Sequence, residues 1–351
     1  MPLPTIEERR AEVQAFGFHQ VHPQLRFGTA SDRYAGWIGQ IYSEHWLTET
    51  GSRNRTLADA AFKEETLPIA SVQEYFQHLS TLELDFTFYR PLLAPNGNAS
   101  PNLHILQQYA EHAPPNARFL VKAPQQFFAR ILRKGKKGEP VRYEANPDFL
   151  NAKHYTERFH LPLMEVLGGR VAGILFQQEY QQQKSSPIPN VMVEEFKRFF
   201  QEIPNDATFH IELRSEHLLL PPYFDFLEAQ GIGFAFSHWT YLPPLRRQWE
   251  LCRRVFSASD GHVFLRLLTP RQMPYADAYK LAFPFTKPVP ELSQTPAAHE
   301  MINEATALAY HAIQQGKTLH VIANNRAWGN SPSLNQAVAQ RFLDFAARKG
   351  A

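Results

Sequence analysis

Glu83 and Glu212 each stand inside an apolar run, in Leu82-Glu83-Leu84-Asp85-Phe86-Thr87-Phe88-Tyr89-Arg90 and in Phe209-His210-Ile211-Glu212-Leu213-Arg214. A carboxylate in such a run is expensive to bury without a partner. Two of them suit a general acid and a general base, with pKa values set by burial on one side and by cationic neighbours on the other. Lys122 at the end of Phe119-Leu120-Val121-Lys122 and Arg266 in Phe264-Leu265-Arg266-Leu267 are cations in the same kind of setting. With Arg214 they suit a grip on phosphate or carboxylate, the guanidinium offering a two-pronged fork. Gln177, Asn324 and Asn325 suit recognition of hydroxyl or amide groups. The expected set is therefore Glu83 and Glu212 as acid and base, with Asp85, Lys122, Gln177, Arg214, Arg266, Asn324 and Asn325 binding a small anionic substrate. The competing reading is that these charges pair with one another and hold the fold together.

These residues meet only if their runs are strands of one closed sheet. Strand-type runs cover residues 25–29, 79–86, 118–122, 171–176, 208–213, 232–236, 262–267 and 318–323. Stretches of helical period lie between and after them, at 71–78, 102–112, 147–167, 191–201, 222–230, 245–256, 297–315 and 333–348. Ser71 with Glu74 has the spacing of a capping box, and Gly231 and Gly316 read as helix stops. The alternation predicts a (β/α)8 TIM-type barrel as one domain from residue 24 onward, preceded by an extension over 1–23. An open doubly wound sheet is the alternative, and no Gly-x-Gly-x-x-Gly follows a strand to support it. In a barrel the strand ends share one bowl, which adds Thr29, Ser31, Asp32, Arg90, Ser237 and His238 to the polar set there. Residues 30–70 and 269–296 are long insertions after the first and seventh strands, so both are placed at the bowl as walls or lids. Arg130 to Lys137 is a basic run after the third strand.

The chain of 351 residues is 44% hydrophobic and carries a formal charge of +2, so it can bury a large core and has no overall pull toward nucleic acid or membrane. Its one cysteine, Cys252, rules out an internal disulfide and reads as an inert thiol on a helix. The N-terminus lacks the pattern of a signal peptide and no apolar run is long enough to span a bilayer, so a cytoplasmic location without membrane contact is expected. No metal is expected, because of the 15 histidines only His238 falls clearly at a strand end, and His210 reads as core. No cofactor is expected either: no phosphate loop or nucleophile elbow is present.

The strand-end residues resemble those of the YecE-like proteins, classed as domain of unknown function 72, which adopt a TIM-type barrel. The likeness runs from Phe27-Gly28-Thr29, with Trp37 and Tyr42, through Leu82 to Tyr89, Phe119 to Pro124, Ile174-Leu175-Phe176-Gln177, Ile211-Glu212-Leu213-Arg214 and Phe264 to Leu267, to Asn324-Asn325 and Asn335. Three family positions differ: Phe128-Ala129 replaces Thr-His, Ser215-Glu216-His217 replaces His-Pro-Ser-Trp, and Arg266-Leu267-Leu268-Thr269 replaces Arg-x-His-Gly. The resemblance implies the barrel and much the same site residues, but no activity. Acid/base chemistry on a small anionic substrate is the leading expectation. Nucleic-acid binding or processing, with Trp37, Phe127, Phe128, Trp239 and Trp328 stacking bases, is a second. A non-catalytic ligand-binding barrel with a decayed site is a third.

Overall fold

The alternating runs become a ring of parallel strands in the computed structural model of the chain, which describes residues 3–57, 60–134 and 142–349. The strands are β1 (Leu25–Ala30), β2 (Gly51–Leu57), β3 (Ala60–Thr66), β4 (Thr81–Leu84), β5 (Arg118–Lys122), β6 (Ile131–Lys134), β7 (Arg142–Ala145), β8 (Val171–Gln178), β9 (Phe209–Leu213), β10 (Gly233–Phe234), β11 (Phe236–His238), β12 (His262–Leu267) and β13 (Thr318–Ala323). Nine of them form one sheet in the order β10-β9-β8-β5-β4-β1-β13-β12-β11, parallel throughout. Its two outermost strands, β10 and β11, are separated in sequence only by Ala235, so together they are the sixth strand of a (β/α)8 barrel. The first half pairs with β9 and the second with β12. The pairs β2/β3 and β6/β7 are antiparallel hairpins outside the ring.

Alternation along each strand sorts the side chains into two cores. Phe119, Val121, Ile174, Phe176, Ile211, Leu265 and Val321 pack outward on the helices. Ala30, Leu120, Leu175, Ala235, Phe264 and Ile322 fill the barrel interior. Gly28 is fixed by a close approach: a Cβ there would lie 2.1 Å from the carbonyl oxygen of Thr81 on the neighbouring strand.

Several expected elements are relocated for identifiable reasons. The second strand is Thr81–Leu84 and not 79–86, because Leu79 donates its N–H to Tyr75 O to close the preceding helix and Phe86–Tyr89 coils into a 3-10 turn. The helix expected from residue 147 starts at Ala152, where Asn151 accepts from the His154 N–H. Within it, Thr156–His160 widens into a π turn. Pro162 has no N–H to give Arg158 O, and that carbonyl instead accepts Leu92 N and Leu93 N at 3.1 and 3.0 Å. Ser71 forms no capping box: its hydroxyl donates to Pro68 O at 2.9 Å, and Glu74 binds Ser43. Gly231 and Gly316 do end helices in the left-handed conformation, at φ 65° and 67°.

In the extension, helix Ile6–Gln14 lies on the last helix, Ser331–Lys349, with Arg10 paired to Asp344 at 2.7 Å and Gln336 donating to Val13 O at 3.0 Å. The insertion after β1 contains the β2/β3 hairpin; the one after β12 contains helices Tyr275–Ala282 and Pro290–Ser293. They pack on each other through Phe62 and Tyr279, ring centroids 4.9 Å apart. Of the basic run after β5, Ile131–Lys134 is β6, and Gly135, Lys136 and Lys137 lie outside the described residues. No helix among the described residues is long and apolar enough to cross a membrane.

Candidate active site

Glu83 on β4, Glu212 on β9 and Arg266 on β12 all point into the barrel, one layer above the inner apolar cluster, and all three are buried. The Arg266 guanidinium donates from Nε and Nη2 to the two oxygens of Glu83, at 2.7 and 2.6 Å, and from Nη1 to Glu212 Oε2 at 2.6 Å. Glu212 also accepts from Arg214 Nε at 3.2 Å and, on its other oxygen, from the Ser237 hydroxyl. Lys122 is paired with Asp85 at 3.1 Å and sits 4.3 Å from the centre of the Phe88 ring. Glu83, Glu212 and Arg266 thus bond to one another, while Lys122 pairs with Asp85 beside them.

Burial pushes all three carboxyls up, and their neighbours decide the outcome. Arg214 and Arg266 hold Glu212 down at about 2. Lys122 and then Arg266 hold Asp85 well below the ordinary carboxylate range. Glu83 shares Arg266 with Glu212 and faces the charge of Asp85, so burial prevails and its pKa is raised. Of the three, Glu83 is the one that takes up a proton first.

Beside this network lies a cavity of about 530 Å³, bounded by the ends of β1, β4 and β13 and by both long insertions. Glu83, Asp85 and Asn324 border it; Lys122, Gln177, Glu212, Arg214 and Arg266 do not. Asn324 also accepts from Arg326 N at 3.1 Å to start a turn. Asn325 is structural, accepting from Trp37 Nε1 at 3.2 Å and Ser331 N at 2.8 Å. Gln177 makes a 3.4 Å bond to Glu179, and its own side-chain oxygen is buried without a partner. Arg214 lies with Cζ 4.7 Å from the centre of the Trp239 ring.

The remaining strand-end residues fall into place around this. Asp32 is buried, accepts the Tyr109 hydroxyl at 2.7 Å, and is pushed up to about 6 by burial. His238 faces away from the barrel interior, with Nδ1 2.9 Å from Thr269 O, and burial lowers it to about 4, so it is neutral. His210 is core, its Nε2 3.1 Å from His262 O. Among the described residues no group of His, Cys, Asp and Glu is placed to hold a metal ion. Trp37, Phe127, Phe128, Trp239 and Trp328 are all buried, so none of the five offers an open face to a base.

The pattern of the protein of unknown function DUF72 matches residues 26–348. The chain belongs to the DUF72 family. A DUF72 family protein of Thermotoga maritima MSB8 superposes with a TM-score of 0.52 at 15% identity, over 92% of this chain and 99% of that one. A DUF72 family protein of Enterococcus faecalis V583 gives a TM-score of 0.49 at 13% identity, over 92% of this chain and 98% of that one. At this identity the Thermotoga likeness speaks for the fold. No curated protein matches the chain.

The cavity of this DUF72 chain also has walls that strand-end reasoning does not reach: Arg53 and Arg55 on β2, Tyr275, and Arg326 just past β13. The alternation in Arg53-Asn54-Arg55 and Phe62-Lys63-Glu64 is the available signal, since period-2 runs flanking a short turn indicate a hairpin. The insertion after the first strand is expected at the bowl, but nothing in the sequence says which of the hairpin's side chains face the cavity.

Proposed function

We propose that this DUF72 protein is an enzyme that uses acid/base chemistry on a small anionic substrate held in the cavity at the C-terminal strand ends. The observation that carries the reading is Glu83: a buried carboxyl with a raised pKa that borders the cavity and is bound to Arg266, next to Asp85 and Glu212, which are held low. Environments that push neighbouring carboxyls apart in pKa separate the group that moves a proton from those that stay charged. Glu83 is the proton carrier. Glu212 acts through Arg266, which it fixes against Glu83, and is a positioning residue. Asp85 and Lys122 form the charged pair beside the reacting atoms, and Asn324 offers its amide at the rim. Work in a reducing cytoplasm fits a chain whose one cysteine cannot form an internal disulfide.

The test is a thermal-shift screen of small phosphorylated and carboxylated polyols, followed by nuclear magnetic resonance in deuterium oxide to detect proton exchange or conversion of each binder. Glu83→Gln is expected to keep binding and lose turnover by about 100-fold or more, the scale of a general acid or base. Glu212→Gln is expected to fold, to keep KM, and to shift the pH profile of kcat by changing the charge on Arg266's other side. Turnover by Glu83→Gln at the wild-type rate, or binders whose turnover ignores both substitutions, overturns the reading.

A further inference from the structure

We propose that the anionic end of the ligand is a phosphomonoester and that it docks on the insertion side of the cavity, on Arg326 and Arg55 around the Tyr275 hydroxyl, and not on the barrel cations. The inference rests on the cavity reading above and names the substrate class and the anchoring residues for it.

The barrel cations are already occupied. Arg266 has all three of its nitrogens on carboxylate oxygens, Arg214 leans on Glu212, and Lys122 is committed to Asp85. None of the three borders the cavity. A substrate anion gripping Arg266 or Arg214 would have to displace a buried glutamate, and one gripping Lys122 would have to displace Asp85, leaving that charge unpaired.

The opposite wall has charge to spare. Arg326 forms no ion pair with a carboxylate among the described residues. Its Nη1 reaches only the Tyr275 hydroxyl, at 3.4 Å, its Cζ lies 4.3 Å from the centre of the same ring, and its Nε is buried without a partner. Arg55 donates from Nη2 to the same hydroxyl at 2.9 Å. Two guanidiniums therefore converge on one neutral oxygen, an arrangement that costs Coulomb energy until an anion joins it. The carboxylate paired with Arg55, Glu64, is shared: Arg53 also pairs with it and the Tyr279 hydroxyl donates to it. Of these guanidiniums Arg326 is the one without a carboxylate among the described residues, so a phosphomonoester, which carries about −1.5 to −2 near neutral pH, would supply the charge it lacks. The planar fork also suits the tetrahedral oxygens of phosphate.

Arg55, Tyr275 and Arg326 line the same cavity of about 530 Å³ as Asp85 and Glu83, so one small molecule can reach both sets. A ligand anchored at Arg326 and Arg55 would lay its unphosphorylated end toward Asp85 and Glu83. The β2/β3 hairpin, through Arg55, and the segment carrying Tyr275 then serve as a phosphate clamp built from the two insertions.

The experiment is calorimetric titration of the full chain with inorganic phosphate and, at matched ionic strength and pH, with acetate, for wild type, Arg326→Gln, Arg55→Met and Glu83→Gln, with folding checked by circular dichroism. Saturable phosphate binding is expected in wild type, with acetate weaker. Arg326→Gln and Arg55→Met should each weaken phosphate by about tenfold or more, as expected for loss of a charge-assisted pair, while Glu83→Gln should hold it within about threefold. No saturable phosphate binding by wild type, acetate binding as tightly as phosphate, or unaltered binding in folded Arg326→Gln and Arg55→Met overturns the inference. Should Arg326→Gln not fold, Arg55→Met and the wild-type comparison of the two anions decide. Phosphate binding kept in Glu83→Gln while its turnover also stays at the wild-type level sinks the acid/base reading alone. Phosphate indifference with Glu83-dependent turnover sinks the anchor alone.

Discussion

Arg266 and Glu83 meet through two parallel hydrogen bonds, 2.7 and 2.6 Å long, across a barrel interior in which β1 and β13 intervene between their strands. The nitrogen left over on Arg266 is bound to Glu212. A cation so placed is the direct hydrogen-bonding partner that offsets the burial of the Glu83 charge. Replacing it with methionine fills similar volume but leaves carboxylates buried against an apolar side chain. Arg266→Met is expected to lose about 3–5 kcal/mol of stability at neutral pH, as for other broken buried pairs. Adding Glu83→Gln and Glu212→Gln to it should recover a large part of the loss. Urea midpoints measure both; a loss below about 1 kcal/mol in the single variant would show that the network is not buried in solution.

Glu212 makes stability depend on acid. Its folded pKa is held at about 2 against an ordinary value of 4.5, so the contribution is fully present above pH 4.5 and is lost as pH falls from there toward 2. Over the whole window the effect is on the order of 3 kcal/mol. Urea unfolding of Glu212→Gln at steps from pH 6 to pH 3 should therefore show a shallower decline than wild type. Equal slopes for the two proteins would mean that Arg214 and Arg266 do not stabilise the Glu212 charge.

How far the sequence reaches is set by what each residue has for near neighbours. β5, β12 and β13 are predicted to the residue because each is a short apolar run with clear breaks, whereas the second strand is overextended because Leu79 and Phe86 are apolar for the helix end and the turn they belong to. Glu83, Lys122, Glu212 and Arg266 stand out in the sequence for one physical reason: a charge inside an apolar run demands a partner or a ligand. Which of the two it has depends on distances across the barrel, which no local pattern encodes: here Glu83, Glu212 and Arg266 partner one another and Lys122 partners Asp85. Arg55, Tyr275 and Arg326 are illegible for the opposite reason. Arg55 and Tyr275 stand in the polar insertions and Arg326 in the turn after β13, where arginine and tyrosine are unremarkable, and only the fold shows that these side chains face the cavity beside Glu83 and Asp85.

Asp32 works in the opposite sense to Glu212. Burial raises its pKa to about 6 from 3.8, and Oδ2 has no hydrogen-bond partner. A carboxyl with a raised folded pKa favours folding while protonated, so its contribution is intact below pH 3.8 and is lost as pH rises through 6. Asparagine keeps an oxygen for the Tyr109 hydroxyl and carries no charge. Asp32→Asn is expected to raise the thermal midpoint at pH 7.5 and to have little effect at pH 4. A variant that is destabilised at both pH values would assign the Asp32 charge a favourable role that this geometry does not give it.

Cys252 provides a readout of how tightly the outer layer is closed. The thiol is buried, donates to Trp249 O at 3.3 Å, and is pushed up to about 12 by burial. The reactive species is the thiolate, so the native thiol is doubly protected, by its pKa and by exclusion of the reagent. Reaction with a chromogenic disulfide at pH 8 should be at least about 1000-fold slower in the native protein than in urea, and it should follow the opening of the segment rather than reagent concentration once the reagent is in excess. The helix expected over 245–256 ends at Leu251, so Cys252 is its cap residue, and Arg253 and Arg254 next to it have positive φ, at 56° and 60°. Local opening of that turn is the route by which the reagent would reach Sγ. A native rate that keeps rising in proportion to the reagent, at a value near that of the unfolded chain, would mean that the turn is open and the thiol accessible in the folded barrel.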